Sequence, residues 1–241
     1  MNKQLGFSLV EIMIALLIGL FLLGGVLQLF SATSQSYRMQ SNLARLQENG
    51  RFALDFLEHD IRMAGYWSCM SSTSDIFGID GAVSDTITLH GAFELTPTGA
   101  CGSPVDSPNS CGSVNCYTDP SSTITYQINT PSGTSSLPDP EITLYRSSNP
   151  LIEGIENMQI LYGIDFNKDK VADYYVSANS AWLAADWLNV ISLRISLLVV
   201  TVDDYLTTQH MPYSYNGVTT TPTDYKIRRV FNTTIAIRNH L

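Results

Sequence analysis

The feature that most constrains this chain is an apolar run over residues 7–30, which only Ser8, Glu11 and Gln28 interrupt. As a helix that rises about 1.5 Å per residue, this run would be roughly 36 Å long and could cross a hydrocarbon core of about 30 Å. A secretory signal peptide has a shorter apolar core, followed by its cleavage site. Here the small residue Gly6 precedes the run, so cleavage after Gly6 would keep the helix in the protein.

Charge and cysteine content predict the compartment of the remaining chain. Lys3 is the only basic residue before Arg38, which favours a cytoplasmic N-terminus and a periplasmic or extracellular remainder. An even set of cysteines follows the apolar run, as is typical of two disulfides in an oxidising compartment: Cys69, Cys101, Cys111 and Cys116. Zinc is the alternative, but the chain has no C-x-x-C pair and its histidines are scattered. The connectivity of the cysteines stays open.

Length and composition narrow the classes of function. Of the 241 residues, one membrane segment leaves roughly 180 to 210 for a soluble part, enough for one domain with a substantial core. The net charge of −9 argues against a nucleic-acid-binding protein. We expect Lys226, Arg228 and Arg229 to protect the edge of the last strand, with DNA contact as the alternative. No G-x-S-x-G, H-E-x-x-H or phosphate-binding glycine motif occurs, so we do not expect an enzyme.

The helix is predicted to continue far beyond the apolar run. Residues 31–65 contain no proline, and apolar or small residues recur at three- and four-residue steps: Leu43, Leu46, Gly50, Ala53, Leu57, Ile61 and Ala64. This spacing predicts one helix of about 55 to 60 residues that ends at Gly65 and buries this stripe against its own domain. Phe52 and Phe56 form a second strip, which we interpret as a surface for packing against other chains.

After Gly65 the pattern changes to short strands separated by turn-rich loops. Alternating β-branched, aromatic and polar residues predict strands at 86–90, 123–128, 141–146, 158–164, 189–201 and 231–237. No helical run separates the C-terminal strands, so the sheet should be mainly antiparallel. The predicted fold class is therefore α+β, with a long N-terminal helix on a mainly antiparallel β domain.

One loop carries the spacing of a calcium site. Three oxygen-bearing side chains occupy alternate positions, and a fourth follows four residues after the third: Asp165, Asn167, Asp169 and Asp173. The loop departs from the usual pattern, because Lys170 replaces the expected glycine and Val176 replaces the final glutamate. We therefore keep two hypotheses, a calcium site and an Asx-rich turn between two strands.

The N-terminus resembles the precursors of type IV pilins. The resemblance lies in the leader that ends at Gly6, in the following FSLVEIMIALLIGL, and in Glu11, the fifth residue after Gly6. Four further segments resemble the PilW-like minor pilins, whose relatives include the J-type minor pseudopilins of type II secretion: RLQENGRFALDFLEHDIRMAGYWSC, LIEGIENMQILYGID, SLRISLLVV and RRVFNTTIAIRNHL.

This resemblance implies a domain organisation and two N-terminal reactions. Residues 1–6 would be the leader, 7–30 the transmembrane half of the helix, 31–65 its amphipathic half, and 66–241 the β domain of a type IV pilin fold. A prepilin peptidase would cleave after Gly6 and methylate the new amine of Phe7. The carboxylate of Glu11 would pair with that amine, in its own or a neighbouring chain, and so set the axial register of a subunit in the filament.

The resemblance also implies a function and its partners. The chain would be a minor pilin that takes part in priming or tip assembly of a type IV pilus, used for twitching and adhesion. It would start as a single-pass inner-membrane protein with a periplasmic domain and end at the pilus tip. Its partners would be other minor pilins, the major pilin, prepilin peptidase and the inner-membrane assembly platform. The alternatives are a minor pseudopilin of type II secretion and a membrane-anchored periplasmic binding module.

Overall fold

A computed structural model of the chain describes residues 8–65, 76–80, 84–91, 93, 123–129, 142–178 and 184–238. The chain divides into two compact units, Met1–Ala44 and Arg45–Leu241. The described part of the first unit is helical, and the second unit contains the end of that helix and the antiparallel sheets. The structure is α+β, as the sequence predicts.

The first element, α1, is a single helix over Leu9–Met63. Its 55 residues agree with the predicted length, and Glu11 lies in its first turn. The carbonyl of Ser8 accepts the amide hydrogens of Glu11 at 3.1 Å and of Ile12 at 3.3 Å, which begins the helix. At the other end Gly65 adopts a φ of 74° and donates its amide hydrogen to the carbonyl of His90 at 2.9 Å. A residue without a Cβ adopts this left-handed conformation readily, so the helix ends where the sequence predicts.

The second unit contains a five-stranded antiparallel sheet in chain order. Its strands are β1 (Ile76–Ile79), β2 (Thr86–His90), β3 (Thr123–Asn129), β4 (Thr143–Arg146) and β5 (Asn149–Glu153). The central three strands confirm the predictions at 86–90, 123–128 and 141–146. Strands β1 and β5 were not predicted from the sequence, because β1 has only four residues and β5 follows β4 after a two-residue turn and contains a proline.

A second antiparallel sheet follows. Along the chain come β6 (Ile155–Ile164), β7 (Tyr174–Val176), the short helix α2 (Ala184–Trp187), β8 (Val190–Val200), β9 (Tyr213–Tyr215), β10 (Val218–Thr220) and β11 (Arg228–Ala236). The sheet has the order β11–β8–β6–β7, while β9 and β10 form a separate hairpin. Strands β6, β8 and β11 confirm the three predicted C-terminal strands. Asn216 and Gly217 form the hairpin turn with φ of 49° and 77°, as a tight two-residue turn requires.

The core of the second unit lies where α1 meets both sheets. The predicted helix stripe is buried from residue 46 onward, with Leu46, Ala53, Leu57 and Ile61 at most 1% exposed. These side chains belong to one cluster with apolar residues of both sheets, namely Ile87, Leu89, Tyr126, Leu144, Met158, Ile160, Tyr162, Leu193, Ile195 and Leu197. Each large side chain buried in this way contributes about 1.5 to 3 kcal/mol. The packing therefore fixes the C-terminal part of α1 on the sheets.

One close approach brings the helix onto the edge strand of the second sheet. A Cβ at Gly50 would lie 2.6 Å from the Cε2 atom of Phe231 in β11. The absence of a side chain at Gly50 thus lets the aromatic ring pack directly on the helix. The predicted stripe includes Gly50 for its small size, and the structure gives the partner.

Candidate functional site

The N-terminal part of α1 exposes its apolar side chains on every side. Between Leu9 and Phe30 the large hydrophobic residues are 51% to 86% exposed, the extremes being Ile12 and Phe21. An 18-residue window of the helix has a mean hydropathy of 2.6, and none of it is buried. By length and composition this segment can cross a membrane. A helix that is apolar all round requires an apolar environment from outside its own chain.

Glu11 is the carboxylate within this apolar surface. It lies in the first turn of α1, where the positive end of the helix dipole favours a negative charge. Within the part of the chain that the structure describes, its carboxylate has no ion-pair or hydrogen-bond partner. Gly6 and Phe7, the predicted cleavage and methylation residues, lie outside the described residues, and so do Cys69, Cys101, Cys111 and Cys116. Their roles stay predictions.

Asp60 forms a buried polar cluster between α1 and the first sheet. Only 4% of this residue is exposed. Its Oδ2 atom accepts hydrogen bonds from the Tyr126 hydroxyl at 2.6 Å and from Arg146 Nε at 2.8 Å. Its Oδ1 atom lies 3.1 Å from Nδ1 of the neighbouring His59. The cluster therefore connects α1 to β3 and β4.

Electrostatics keeps Asp60 ionised. Burial alone would raise the pKa of its carboxyl group, but hydrogen bonds from Arg146, Tyr126 and His59 outweigh that effect and hold the pKa below its usual range. Burial and the neighbouring Asp60 carboxylate raise the pKa of Tyr126, which stays a neutral donor. At neutral pH the pair of Asp60 and Arg146 is thus a compensated charge pair.

Residues near the start of the second unit link α1 to the strand ends. Arg45 Nη2 donates to Glu153 Oε1 at 2.5 Å, and Asn49 Nδ2 donates to the carbonyl of Glu153 at 3.1 Å. The following Gly154 has a φ of 78°, and a Cβ there would lie 2.7 Å from the Val200 carbonyl oxygen. A side chain at position 154 would therefore collide with the backbone of β8, and the positive φ favours glycine there.

The side chain of Arg228 is not exposed at a strand edge, although exposure was expected for the cationic residues near the C-terminus. β11 is an edge strand, as expected, but the Arg228 side chain is only 6% exposed. It donates to both carboxylate oxygens of Glu156, at 2.6 and 3.0 Å, and to both of Asp224, at 2.7 Å each. A guanidinium with two carboxylate partners is a structural ion pair. Arg228 is therefore neither an exposed edge cation nor available to a DNA phosphate.

The predicted calcium residues lie together in the loop that follows β6. Asp165 is 5% exposed, and its two oxygens accept the amide hydrogens of Lys168 at 2.6 Å and of Lys170 at 2.8 Å. Asp173 Oδ2 accepts the amide hydrogen of Phe166 at 2.8 Å. Asp169 Oδ1 accepts the amide hydrogen of Val171 at 2.8 Å. Asn167 Nδ2 donates to carboxylate oxygens of Asp169 and Asp173, at 3.1 and 3.4 Å.

This geometry has the pattern of Asx turns. Lys168 and Lys170 adopt φ of 63° and 68°, and Lys170 stands at the position where the usual loop has glycine. Within the described residues, no group of three or more His, Cys, Asp or Glu side chains is arranged to hold a metal ion. The calcium site stays a prediction.

The second aromatic strip of α1 is half exposed. Phe52 is 49% exposed and Phe56 is 45% exposed, whereas the neighbouring Ala53 and Leu57 are fully buried. The packed part of the helix therefore has one face on its own sheets and an aromatic face toward its surroundings. Its partner is not part of the structure, so packing against other chains stays a prediction.

Two family models match this chain. Residues 1–27 match the family model of the prokaryotic N-terminal methylation motif, and residues 125–239 match that of the type IV pilus-assembly protein W, PilW. A type IV-like pilin from Thermus thermophilus aligns with a TM-score of 0.45 and 14% identity, over 82% of this chain and 99% of that chain. A search of curated proteins gave no match.

The methylation motif on a long apolar helix, followed by antiparallel sheets, defines the class of type IV pilins. The match over residues 125–239, together with the methylation motif, supports a PilW-like minor pilin within that class. The predicted resemblance is confirmed. Domains of this class are structural, and such a helix with such a motif is consistent with inner-membrane anchoring and a place in a pilus.

Proposed function

We propose that this minor pilin is cleaved by a prepilin peptidase between Gly6 and Phe7, methylated at Phe7, and then takes part in priming or tip assembly of a type IV pilus. The observation that carries the proposal is the exposed apolar segment of α1 from Leu9 to Phe30, with Glu11 in its first turn and no partner for this carboxylate among the described residues. Such a helix can lie in a membrane or pack among other apolar helices, because both supply an apolar environment. The partners would be the other minor pilins and the major pilin, delivered through the inner-membrane assembly platform.

The role of Glu11 follows from the cost of an unpaired carboxylate. An acidic residue inside a membrane-spanning helix costs about 2.5 to 3.5 kcal/mol near the centre and less toward an end. Phe7 precedes Glu11 by four positions, and in a helix this spacing corresponds to about one turn. Pairing the two charges, within the chain or between neighbouring chains, would remove the cost and define the axial register.

Substitution of Glu11 with Ala tests this role. We expect the Glu11→Ala protein to remain in the membrane fraction, while its amount in sheared surface filaments falls by up to roughly 100-fold, the ratio that corresponds to about 2.7 kcal/mol. Glu48→Ala is the matched control, because Glu48 is an exposed glutamate on the packed part of α1. Normal piliation with Glu11→Ala would show that the assigned role is wrong.

Two further measurements separate the alternatives. Mass spectrometry of the native N-terminus should find N-methylated Phe7, and an intact leader would favour a membrane-anchored binding module instead. Deletion of the gene should abolish piliation and twitching. If deletion blocks enzyme export and leaves surface pili intact, the protein is a minor pseudopilin of type II secretion.

We also propose that the loop of Asp165, Asn167, Asp169 and Asp173 binds calcium weakly. The Asn167 amide lies between the carboxylates of Asp169 and Asp173, where a cation would compensate both charges. Calorimetric titration should give heat at millimolar calcium, and Asp173→Asn should reduce it. Absence of heat at millimolar calcium would leave the Asx-turn interpretation.

A further inference from the structure

A polar groove lies on the second sheet, on the face opposite the buried leucines of β8. Leu193, Ile195 and Leu197 point into the core, so the alternating Arg194 and Ser196 point to the other face. The groove there has a volume of about 640 Å³. This volume lies within the range of about 300 to 1,000 Å³ that is usual for ligand sites.

The strand register arranges the floor of the groove in rows. Gln159 of β6 pairs with Ser196 of β8, which pairs with Asn232 of β11. In the next row on this face, Arg194 of β8 pairs with Thr234 of β11. Neighbouring strands are about 4.8 Å apart, so the two amide residues lie about 10 Å apart with a hydroxyl between them.

The β9–β10 hairpin forms a wall of the groove. Its Ser214, Tyr215 and Asn216 line the groove together with the floor residues. The Tyr215 hydroxyl donates to the carbonyl of Ser196 at 2.7 Å, which attaches the wall to the floor. The groove is therefore bounded by a fixed hairpin and a regular sheet, and it is preformed.

Arg194 is the cationic residue of the groove, and stacking on an aromatic ring orients its side chain. Its guanidinium carbon lies 4.1 Å from the centre of the Tyr175 ring, on which it stacks. Within the described part of the chain, Arg194 forms no ion pair, whereas Arg228 has two carboxylate partners. An oriented guanidinium without a carboxylate partner among the described residues is able to bind an external anion through its planar set of donors.

We propose that this groove binds an acidic saccharide. Arg194 would donate to the carboxylate of the ligand, and the side chains of Gln159, Ser196, Asn232 and Thr234 would face its ring hydroxyls. Amide and hydroxyl groups can each donate and accept hydrogen bonds, and so can the hydroxyls of a sugar. The proposal goes beyond filament assembly, since none of these residues lies in the apolar helix.

A peptide fits the groove less well. The backbone groups of the floor are used in the β6–β8 and β8–β11 pairs, so the main chain of a peptide finds no backbone partners there. A polyphosphate or nucleic acid would need several cations, and Arg194 is the only charged residue among those that line the groove in the described chain.

The test is a titration of the detergent-solubilised full-length protein with trigalacturonate, with maltotriose as the neutral sugar and triglutamate as the acidic peptide. We expect binding of trigalacturonate alone. Arg194→Gln should weaken it by about tenfold or more, as loss of a charge-assisted contact does. Arg194→Lys should have an intermediate affinity, because it keeps the charge and loses the planar fork.

Arg51→Gln is the matched control, since it removes one exposed arginine from α1 and should leave the affinity unchanged. Retained stability of the Arg194→Gln protein in thermal unfolding shows that the loss of binding is local. The proposal is overturned if trigalacturonate does not bind at millimolar concentration or if Arg194→Gln binds it equally well. Binding of triglutamate without trigalacturonate would overturn the saccharide assignment in favour of a peptide.

Discussion

Helix α1 contains two regions that differ in the exposure of their apolar side chains. From Leu9 to Phe30 the large hydrophobic residues are more than half exposed, whereas Leu46, Leu57 and Ile61 are at most 1% exposed. The first region is apolar on all sides, and the second has one apolar stripe with polar residues beside it. The difference shows that the sequence pattern, and not the backbone conformation, determines whether the partner comes from the same chain or from outside.

The two carboxylates of these regions show the same difference. Asp60 accepts hydrogen bonds from Arg146 and Tyr126 of the first sheet. Glu11 has no such partner within the residues that the structure describes. In the packed region the fold supplies the compensating charge, whereas for Glu11 we propose the N-terminal amine of this chain or of a neighbour as the partner.

The largest expected effect comes from removing the same side chain in each region. Leu57→Ala should lower the free energy of unfolding by about 2 to 5 kcal/mol, because Leu57 is fully buried between α1 and the sheets. Leu17→Ala should leave it unchanged, because Leu17 is 68% exposed. Denaturant unfolding of the detergent-solubilised protein, followed by tryptophan fluorescence, to which the buried Trp187 contributes, measures both. Equal losses for the two variants would contradict the comparison.

The stripe of α1 could be predicted because its residues are close in sequence. Three- and four-residue spacing identifies Leu46 to Ala64, and Asp60 lies on that same face, three residues after Leu57. This position on the buried face is the sequence signal for a buried carboxylate at Asp60, which was not among the predicted site residues. The partners of Asp60 could not be predicted, since Tyr126 and Arg146 are 66 and 86 residues away and meet it only through the strand order.

Other differences have similar causes. The β9–β10 hairpin was not predicted, although Asn216-Gly217 is a strong hairpin signal, because its strands have only three residues each. Arg228 was expected at an exposed edge, because its two acidic partners meet it only in the folded domain. Local periodicity thus predicts elements, whereas polar clusters depend on contacts between distant segments.

A smaller effect is expected from acid. The pKa of Asp60 is lower in the folded protein than its ordinary value of 3.8, so its contribution to stability is complete above about pH 4 and is lost as the pH falls through the folded pKa. The free energy of unfolding should therefore decrease below pH 4 more steeply in the wild type than in Asp60→Asn. At pH 7 the Asp60→Asn protein should be less stable by about 2 kcal/mol, because the half-buried Arg146 loses its charged partner.

Parallel pH curves for the wild type and Asp60→Asn would contradict this assignment. The hydrogen bond with Arg228 also lowers the pKa of Asp224, so Asp224 contributes to the acid dependence as well. Because Asp224 is present in both proteins, its contribution cancels in the comparison. The difference between the two curves is therefore specific to Asp60. Glu48→Gln serves as a control, since Glu48 is exposed and should leave the curve unchanged.

The smallest effect on stability should come from the outward face of the packed region. Phe56 is 45% exposed, so Phe56→Ser should change the free energy of unfolding by less than about 0.5 kcal/mol. If this face packs against other chains, as we infer from its two aromatic residues, the same variant should be several times less abundant in sheared filaments while its level in the membrane stays the same. A variant with normal abundance in filaments would restrict the surface that needs an external partner to the N-terminal region, from Leu9 to Phe30.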